Sequence, residues 1–391
     1  MMGTELEKRD GTAVEYPRLI GRFQGSADGK KMIVVGGMHG NEPSGILAAR
    51  RVLDALARQQ PRFRGTLAAY TGNREALERG QRFIDKDFNR IWTTGHIELN
   101  RQSGAAESTE DRQQRELLDE LEVEIGSNPH DVVFIDLHTS SAAGPPFVTI
   151  GDTLRNRYFA RVFPLTAILG LEEQIDGALL EYMNNLGCTT IGIEAGQHDQ
   201  PISIDIHEAA LWVALLAAGM LERGDAAQIE RSLRYLEQQR AQLPELVEVL
   251  HRHSIDPEDG FQMEPGFSNF QLVEAGQRLA SDRRGRIEAP FRGLLLLPLY
   301  QGQGSDGFFI GRRVHRFWLE VSERVRRLEL GDYADWLPGV RQHPTIAETL
   351  VIDTRVARFY PLQFFHLLGF RKRRAHGSVL LVGRRAHDRL R

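Results

Sequence analysis

Cysteine is almost missing from this chain. Cys188 is the only one in 391 residues, which excludes an internal disulfide framework and a zinc cluster built from thiolates. Such sparing use also fits a reducing compartment. Lysine is scarce as well, standing only at positions 8, 30, 31, 86 and 372, so nearly all of the 49 basic residues are arginine. That bias runs along the whole chain and reads as genomic composition. A basic excess is lacking too. The 49 Lys and Arg face 53 Asp and Glu, for a formal net charge of −4, and nothing in that balance would hold nucleic acid. Long apolar runs are also absent. The longest, Ala209 to Leu221, covers about 13 residues against the roughly 20 of a membrane-spanning helix, so it reads as a buried helix. The first 25 residues mix Glu, Lys, Arg and Asp with no apolar stretch, so no secretory signal is expected. The expectation is a soluble, cytoplasmic protein with a small-molecule partner and neither nucleic acid nor membrane as partner. A homo-oligomer stays open.

What is present is globular in texture, with 41% hydrophobic and 26% charged residues. Met32-Ile-Val-Val-Gly36 reads as a buried strand running into a tight loop, and Pro43 with Ile46, Leu47, Val52, Leu53 and Leu56 as a helix with proline near its start. Thr66–Thr71, Val132–Asp136, Phe147–Ile150 and Thr190–Ile193 read as further strands, and 107–125 and Ile206–Leu221 as helices. Strands alternating with helices predict an α/β domain with a mixed, largely parallel sheet flanked by helices. We place it at residues 1–225, followed by a helical linker over 226–258, where one or two charged helices break at Pro244. Glycines punctuate short apolar runs over 259–330, the pattern of a small all-β domain. Residues 331–391 form an Arg-rich extension of unassigned role.

Polar groups capable of chemistry cluster at the expected carboxyl ends of strands, the edge where open α/β sheets bind ligands. His39 and Glu42 follow strand 32–36, His138 follows strand 132–136, and Glu194 follows strand 190–193. Two histidines and a glutamate around a metal leave a fourth position for water, the arrangement of a catalytic zinc site. Alone, a His-x-x-Glu pair or an Asp-x-His arises often by chance. Glu194, in Gly192-Ile-Glu-Ala-Gly196, suits a general base or acid, or else a salt-bridged structural glutamate. Arg82 and the Asn89-Arg90 pair supply guanidinium groups and an amide able to grip a carboxylate or an oxyanion, or else a solvated surface loop.

Together these segments resemble the succinylglutamate desuccinylase/aspartoacylase family of the zinc carboxypeptidase-like superfamily. The matching motifs are Gly-Gly-Met-His39-Gly-Asn-Glu42-Pro, Gly72-Asn73-Arg-Glu-Ala, Arg82-Phe-Ile-Asp-Lys-Asp-Phe-Asn89-Arg90-Ile, Phe134-Ile-Asp-Leu-His138-Thr and Gly192-Ile-Glu194-Ala-Gly. The resemblance implies one zinc per chain on His39, Glu42 and His138, with Glu194 as general base and then acid. It implies that Arg82 polarises the scissile carbonyl, and that Asn89 and Arg90 bind the carboxylate of an N-acyl amino acid whose amide is hydrolysed. It also implies a small β domain shaping the pocket mouth. Arg286 to Gly293 looks like a biotinyl/lipoyl-like turn, without an acceptor lysine.

One departure bears on specificity. Some aspartoacylases carry a further arginine about ten residues before the catalytic glutamate; here residues 162–193 hold neither Arg nor Lys. A single-carboxylate substrate is therefore expected, unless Arg292, Arg312 or Arg313 reaches in from the β domain. Pro145-Pro-Phe147 is expected to offer an apolar pocket wall. Two rival readings remain: a zinc carboxypeptidase with an open cleft for peptides or cell-wall fragments, and a non-catalytic binding protein of the same fold. Other motifs fail on inspection. His207-Glu208 lacks a histidine at Leu211, Gly40–Gly45 lacks a following lysine, and Gln303 breaks a nucleophile elbow at Ser305. Cys188 reads as a packed thiol, Arg371–Arg374 as a solvated basic run, and His251 and His253 as exposed helix residues.

Overall fold

The computed structural model describes residues 15–103, 108–240, 242–346, 348–356, 362–376 and 379–385. The first fourteen residues, part of the stretch read for a secretory signal, lie outside the described residues. No described helix is long and apolar enough to cross a membrane.

The centre is an eleven-stranded sheet. Four neighbouring strands run parallel, in the spatial order Arg64–Thr71, Ser26–Gly36, Val132–Ser140 and Thr189–Gln197. Their apolar runs are continuous because both faces are covered. Helices Ser44–Gln59 and Ile202–Ala217 bury Val52, Leu56 and Val213 on one face, while Thr109–Ile125 and Leu179–Leu186 bury Leu117, Leu121 and Met183 on the other. Beyond Thr189–Gln197 comes the short strand Phe147–Thr149, running antiparallel to it, then Thr166–Leu169 and Leu246–Ser254. The mixed, largely parallel sheet flanked by helices is therefore present, and separate small antiparallel sheets follow it in the carboxyl-terminal part.

Three local readings need correction. His138 and Glu194 do not follow their strands but sit inside them, because hydrogen bonding continues to Ser140 and Gln197; they pair in register on adjacent parallel strands. The stretch read as a helical linker holds one helix, Ala227–Arg240, and then the strand Leu246–Ser254. The helix ends at Arg240, ahead of Pro244, and Leu246-Val-Glu-Val can pair with Thr166–Leu169 on one side and Asp306–Arg313 on the other. His251 and His253 are thus half-buried strand residues, and the His253 ring stacks on Phe308 at 5.0 Å and 7°.

Strands Asp306–Arg313, Gly293–Leu296 and Leu272–Val273 extend the central sheet, while Arg278–Asp282, Gly285–Glu288 and Gln262–Met263 form a separate three-stranded sheet. Helix Arg316–Arg327 and a four-stranded antiparallel sheet complete the described chain, the latter packed around Val340, Leu350, Ile352, Phe365, Phe370 and Val382. Buried charge fastens this extension to the main sheet. Asp152 pairs with Arg157, Arg326 and Arg371; Glu248 lies 3.0 Å from Arg371 Nη1 and 2.9 Å from His366 Nδ1; Arg385 Nη2 donates to Glu172 at 3.0 Å. Arg371 is therefore buried between carboxylates rather than part of a solvated run. The side chains of Lys372, Arg373 and Arg374 lie outside the described residues.

Candidate active site

Two close backbone approaches assemble the site. A Cβ on Gly40 would lie 2.0 Å from the Ala76 carbonyl carbon and 2.3 Å from the Gln81 carbonyl oxygen. Only glycine allows this approach, in which the Gly40 N–H donates to the Arg82 carbonyl at 3.1 Å. The loop carrying His39 and the segment carrying Arg82 are thereby joined backbone to backbone. At Gly45 a Cβ would meet the Leu137 Cβ at 2.6 Å, so the helix behind Glu42 presses directly on the strand of His138.

The three expected ligands converge. His39 Nδ1 is 2.8 Å from Glu42 Oε1, His138 Nδ1 is 3.2 Å from Glu42 Oε2, and one ligand atom from each residue lies within 4.8 Å of the others. The Thr139 N–H donates to Glu42 Oε2 at 2.8 Å and aims that carboxylate. Each imidazole is backed by a carboxylate on its far nitrogen. His39 Nε2 is 3.2 Å from Asp87 Oδ1, and His138 Nε2 is 2.8 Å from Asp136 Oδ2. With Nε2–H donated outward, both Nδ1 lone pairs point inward, the support that metal-bound histidines ordinarily have. This donor set fits a divalent zinc ion. Burial alone would push Glu42 up, but His39 and His138 beside it more than offset that and hold it well below the usual carboxylate range.

Glu194 faces the same pocket. Burial pushes its carboxyl up to about 7; His138 and Arg82 oppose the rise, and Glu42 and Asp136 add to it. Its Oε2 is buried without a hydrogen-bond partner among the described residues, so it is free to take a proton from a ligand. Arg82 donates from Nη2 and Nε to Asp87 Oδ2 at 3.1 and 3.3 Å, and its Nη1 stands 3.7 Å from Glu42 Oε1. Asn89 is fixed by the Leu179 N–H donating to its Oδ1 at 2.9 Å. Arg90 donates to its neighbour's Asn89 carbonyl at 2.7 Å and to Asp306 at 2.6 Å.

Residues 28–211 match the family model of the succinylglutamate desuccinylase/aspartoacylase catalytic domain. Over that span, just under half of the chain, this sequence is similar to that catalytic domain. A succinylglutamate desuccinylase of Ectopseudomonas mendocina is 32% identical over 94 residues, covering 24% of this chain and 27% of that protein. A probable aspartoacylase of Nostoc is 28% identical over 163 residues, covering 40% of this chain and 53% of that protein. The chain thus spans about a quarter to a half of the length of these curated relatives. The crystal structure of a succinylglutamate desuccinylase/aspartoacylase from Rhodobacter sphaeroides shares the fold, with a TM-score of 0.53 at 16% identity, covering 75% of this chain and 88% of that one.

Within this domain, sequence reasoning missed several residues of the site. Asp136 carried a signal: two residues before His138 on one strand, it shares that histidine's face. Asp87 lay inside the Arg82–Arg90 motif, yet its role as the junction of His39, Arg82 and the Asn89 N–H shows only in three dimensions. His198 and Gln301 also line the pocket, joined at 3.2 Å, and nothing local marks either. His207, discarded as part of a failed zinc motif, supports the site from behind. Its Nε2–H donates to the His138 carbonyl at 3.1 Å, so Nδ1 accepts from the Ser44 hydroxyl at 3.2 Å. Burial holds this ring neutral, with its pKa lowered to about 4. Cys188 is buried, and burial pushes its thiol up to about 12, which suits a packed group.

The pocket walls differ from expectation. Ser140 and Ser141 line the pocket, but Pro145-Pro-Phe147 does not; Phe147 packs on Phe270 at 5.3 Å. The apolar wall comes instead from Leu171, Ile175, Leu180, Leu297, Leu299 and Phe309. Arg292 pairs with Glu274 at the surface, Arg312 covers the Phe291 ring at 4.9 Å, and Arg313 is exposed, so none of the three enters the pocket.

Proposed function

We propose that this protein is a zinc-dependent hydrolase that cleaves the amide bond of an N-acylated amino acid, releasing a carboxylic acid and an amine. The observation that carries this reading is the convergence of His39, Glu42 and His138, with the outer nitrogens of the two histidines held by Asp87 and Asp136, beside the unpartnered Oε2 of Glu194. Zinc, when bound by His39, Glu42 and His138, would polarise the scissile carbonyl and acidify the attacking water. Glu194 accepts the proton of that water and returns it to the leaving nitrogen; a carboxyl near neutrality is matched to both tasks. Arg82, fixed by Asp87, donates to the carbonyl oxygen as negative charge develops there. Asn89 and Arg90 orient the substrate carboxylate. Leu297, Leu299, Gln301 and Asp306 close the pocket from the carboxyl-terminal part, which supports a small substrate over an extended peptide.

The test is turnover of a panel of N-acyl amino acids by zinc-loaded protein and by Glu194→Gln. Glutamine keeps the shape but cannot take the proton, so turnover should fall by about 10²–10⁴-fold with zinc content unchanged. A variant within a few-fold of wild type would remove Glu194 from the mechanism. Turnover of no member of the panel by the wild type would refute the function.

A further inference from the structure

Arg90 is the guanidinium that should receive a substrate carboxylate, yet the chain already supplies one to it. Asp306, the first residue of strand Asp306–Arg313, stands in the wall of the same pocket. Its Oδ2 accepts from Arg90 Nη2 at 2.6 Å, and its Oδ1 accepts from Arg252 Nε at 2.5 Å. Arg252 lies on the neighbouring strand Leu246–Ser254. Arg90 spends another N–H on the Asn89 carbonyl, while its Nε is buried without a partner among the described residues. A guanidinium has five N–H donors, so enough remain for one further carboxylate.

Charge points the same way. Arg90, Arg252 and Asp306 together carry a single positive charge, which one substrate carboxylate neutralises. Elsewhere the lining is acidic: four carboxylates, on Glu42, Asp136, Glu172 and Glu194, face the one guanidinium of Arg82. Even a divalent ion on the metal ligands leaves that count short of a place for a second anion. A second substrate carboxylate would have to lie beside Asp306, where like charges in a partly buried site repel strongly.

We propose that Asp306 is the specificity-determining residue of this pocket: as a built-in carboxylate on Arg90, it restricts the site to N-acyl compounds with one carboxylate and excludes dicarboxylates. This rests on the reading of the pocket as an N-acyl amino acid site. In the Asp306→Asn protein, Arg90 and Arg252 carry two unbalanced positive charges, and the second carboxylate gains a place.

The experiment compares N-acetylalanine with N-acetylaspartate, which differ by one carboxylate. Dissociation constants are measured by calorimetry on zinc-loaded protein in a Glu194→Gln background, where neither compound is consumed. The parent should favour N-acetylalanine by about tenfold or more. Adding Asp306→Asn should shift the ratio towards N-acetylaspartate by at least about tenfold, while Asp306→Glu should keep the parental preference. If Asp306→Asn does not fold, Arg252→Gln decides. It should weaken N-acetylalanine by about fivefold or more relative to the carboxylate-free N-acetylalaninamide. A parent that prefers N-acetylaspartate, an unchanged ratio in Asp306→Asn, or equal effects on acid and amide in Arg252→Gln would overturn the proposal. Absence of turnover in the wild type refutes the proposed hydrolase but leaves the binding ratio to judge Asp306. Absence of binding by both compounds refutes both.

Discussion

Glu110 touches no ligand, but its replacement should disable the site. It is fully buried in the first turn of helix Thr109–Ile125. Its Oε1 accepts from Asn73 Nδ2 at 2.9 Å and from the Ile84 N–H at 2.8 Å; its Oε2 accepts from the Asp85 N–H at 3.0 Å and the Lys86 N–H at 3.3 Å. Three of these four donors are backbone groups of the loop between Arg82 and Asp87. In Glu110→Gln the side chain keeps its shape, but one oxygen becomes an amino group facing two N–H donors. Two partly buried donors are then left unpaired, at about 1–3 kcal/mol each, so stability should fall by about 2–6 kcal/mol. The loop would also lose its register, and with it the placement of Arg82 and Asp87. A shift of about 1 Å in a positioning group can cost on the order of 10²-fold in rate. Thermal denaturation and kcat/KM on the same preparation, with metal content measured, check both effects. A variant that melts within about 1 kcal/mol of wild type and keeps its kcat/KM would show that the four hydrogen bonds do not organise the loop.

Arg82→Lys should mainly lower kcat, because Arg82 acts on charge that develops in the transition state, whereas Arg90→Lys should mainly raise KM; steady-state kinetics showing the reverse would mean the roles are exchanged. Chelation should lower the melting temperature, since an ion present at about 100 times its Kd contributes about 2.7 kcal/mol, and added zinc should restore it; a melting curve indifferent to chelator would argue against the His39, Glu42 and His138 site. Arg371→Met should cost about 3–5 kcal/mol by denaturant unfolding, because it strips a buried cation from between Asp152 and Glu248; a change below about 0.5 kcal/mol would restore the solvated reading of that run.

The parts of the site that were legible in the sequence are those that local chemistry dictates. A histidine and a glutamate three residues apart fall on one turn of chain, and continuous apolar runs mark strands covered on both faces. His39, Glu42, His138, Glu194, Arg82, Asn89 and Arg90 are named by strand-end position or motif together with the resemblance to a known family, and the structure gathers all seven around one pocket. Strand Leu246–Ser254 was misread because its pattern mixes apolar and charged residues. Strand propensity depends on the neighbours it will pack against, and those neighbours are Thr166–Leu169 and Asp306–Arg313, which no local window contains.

By itself, then, the sequence determined the parallel sheet, through apolar patterning, and the seven candidate site residues, through strand-end position joined to motifs that resemble a known family. Only the tertiary structure decided what surrounds them. Asp306 meets Arg90 across 216 positions, Arg371 finds Glu248 across 123, and the apolar wall comes from Leu171 and Leu297 rather than from the adjacent prolines. Such contacts join residues far apart in the chain through sheet order and register, and the charge balance that sets specificity is a sum over those contacts.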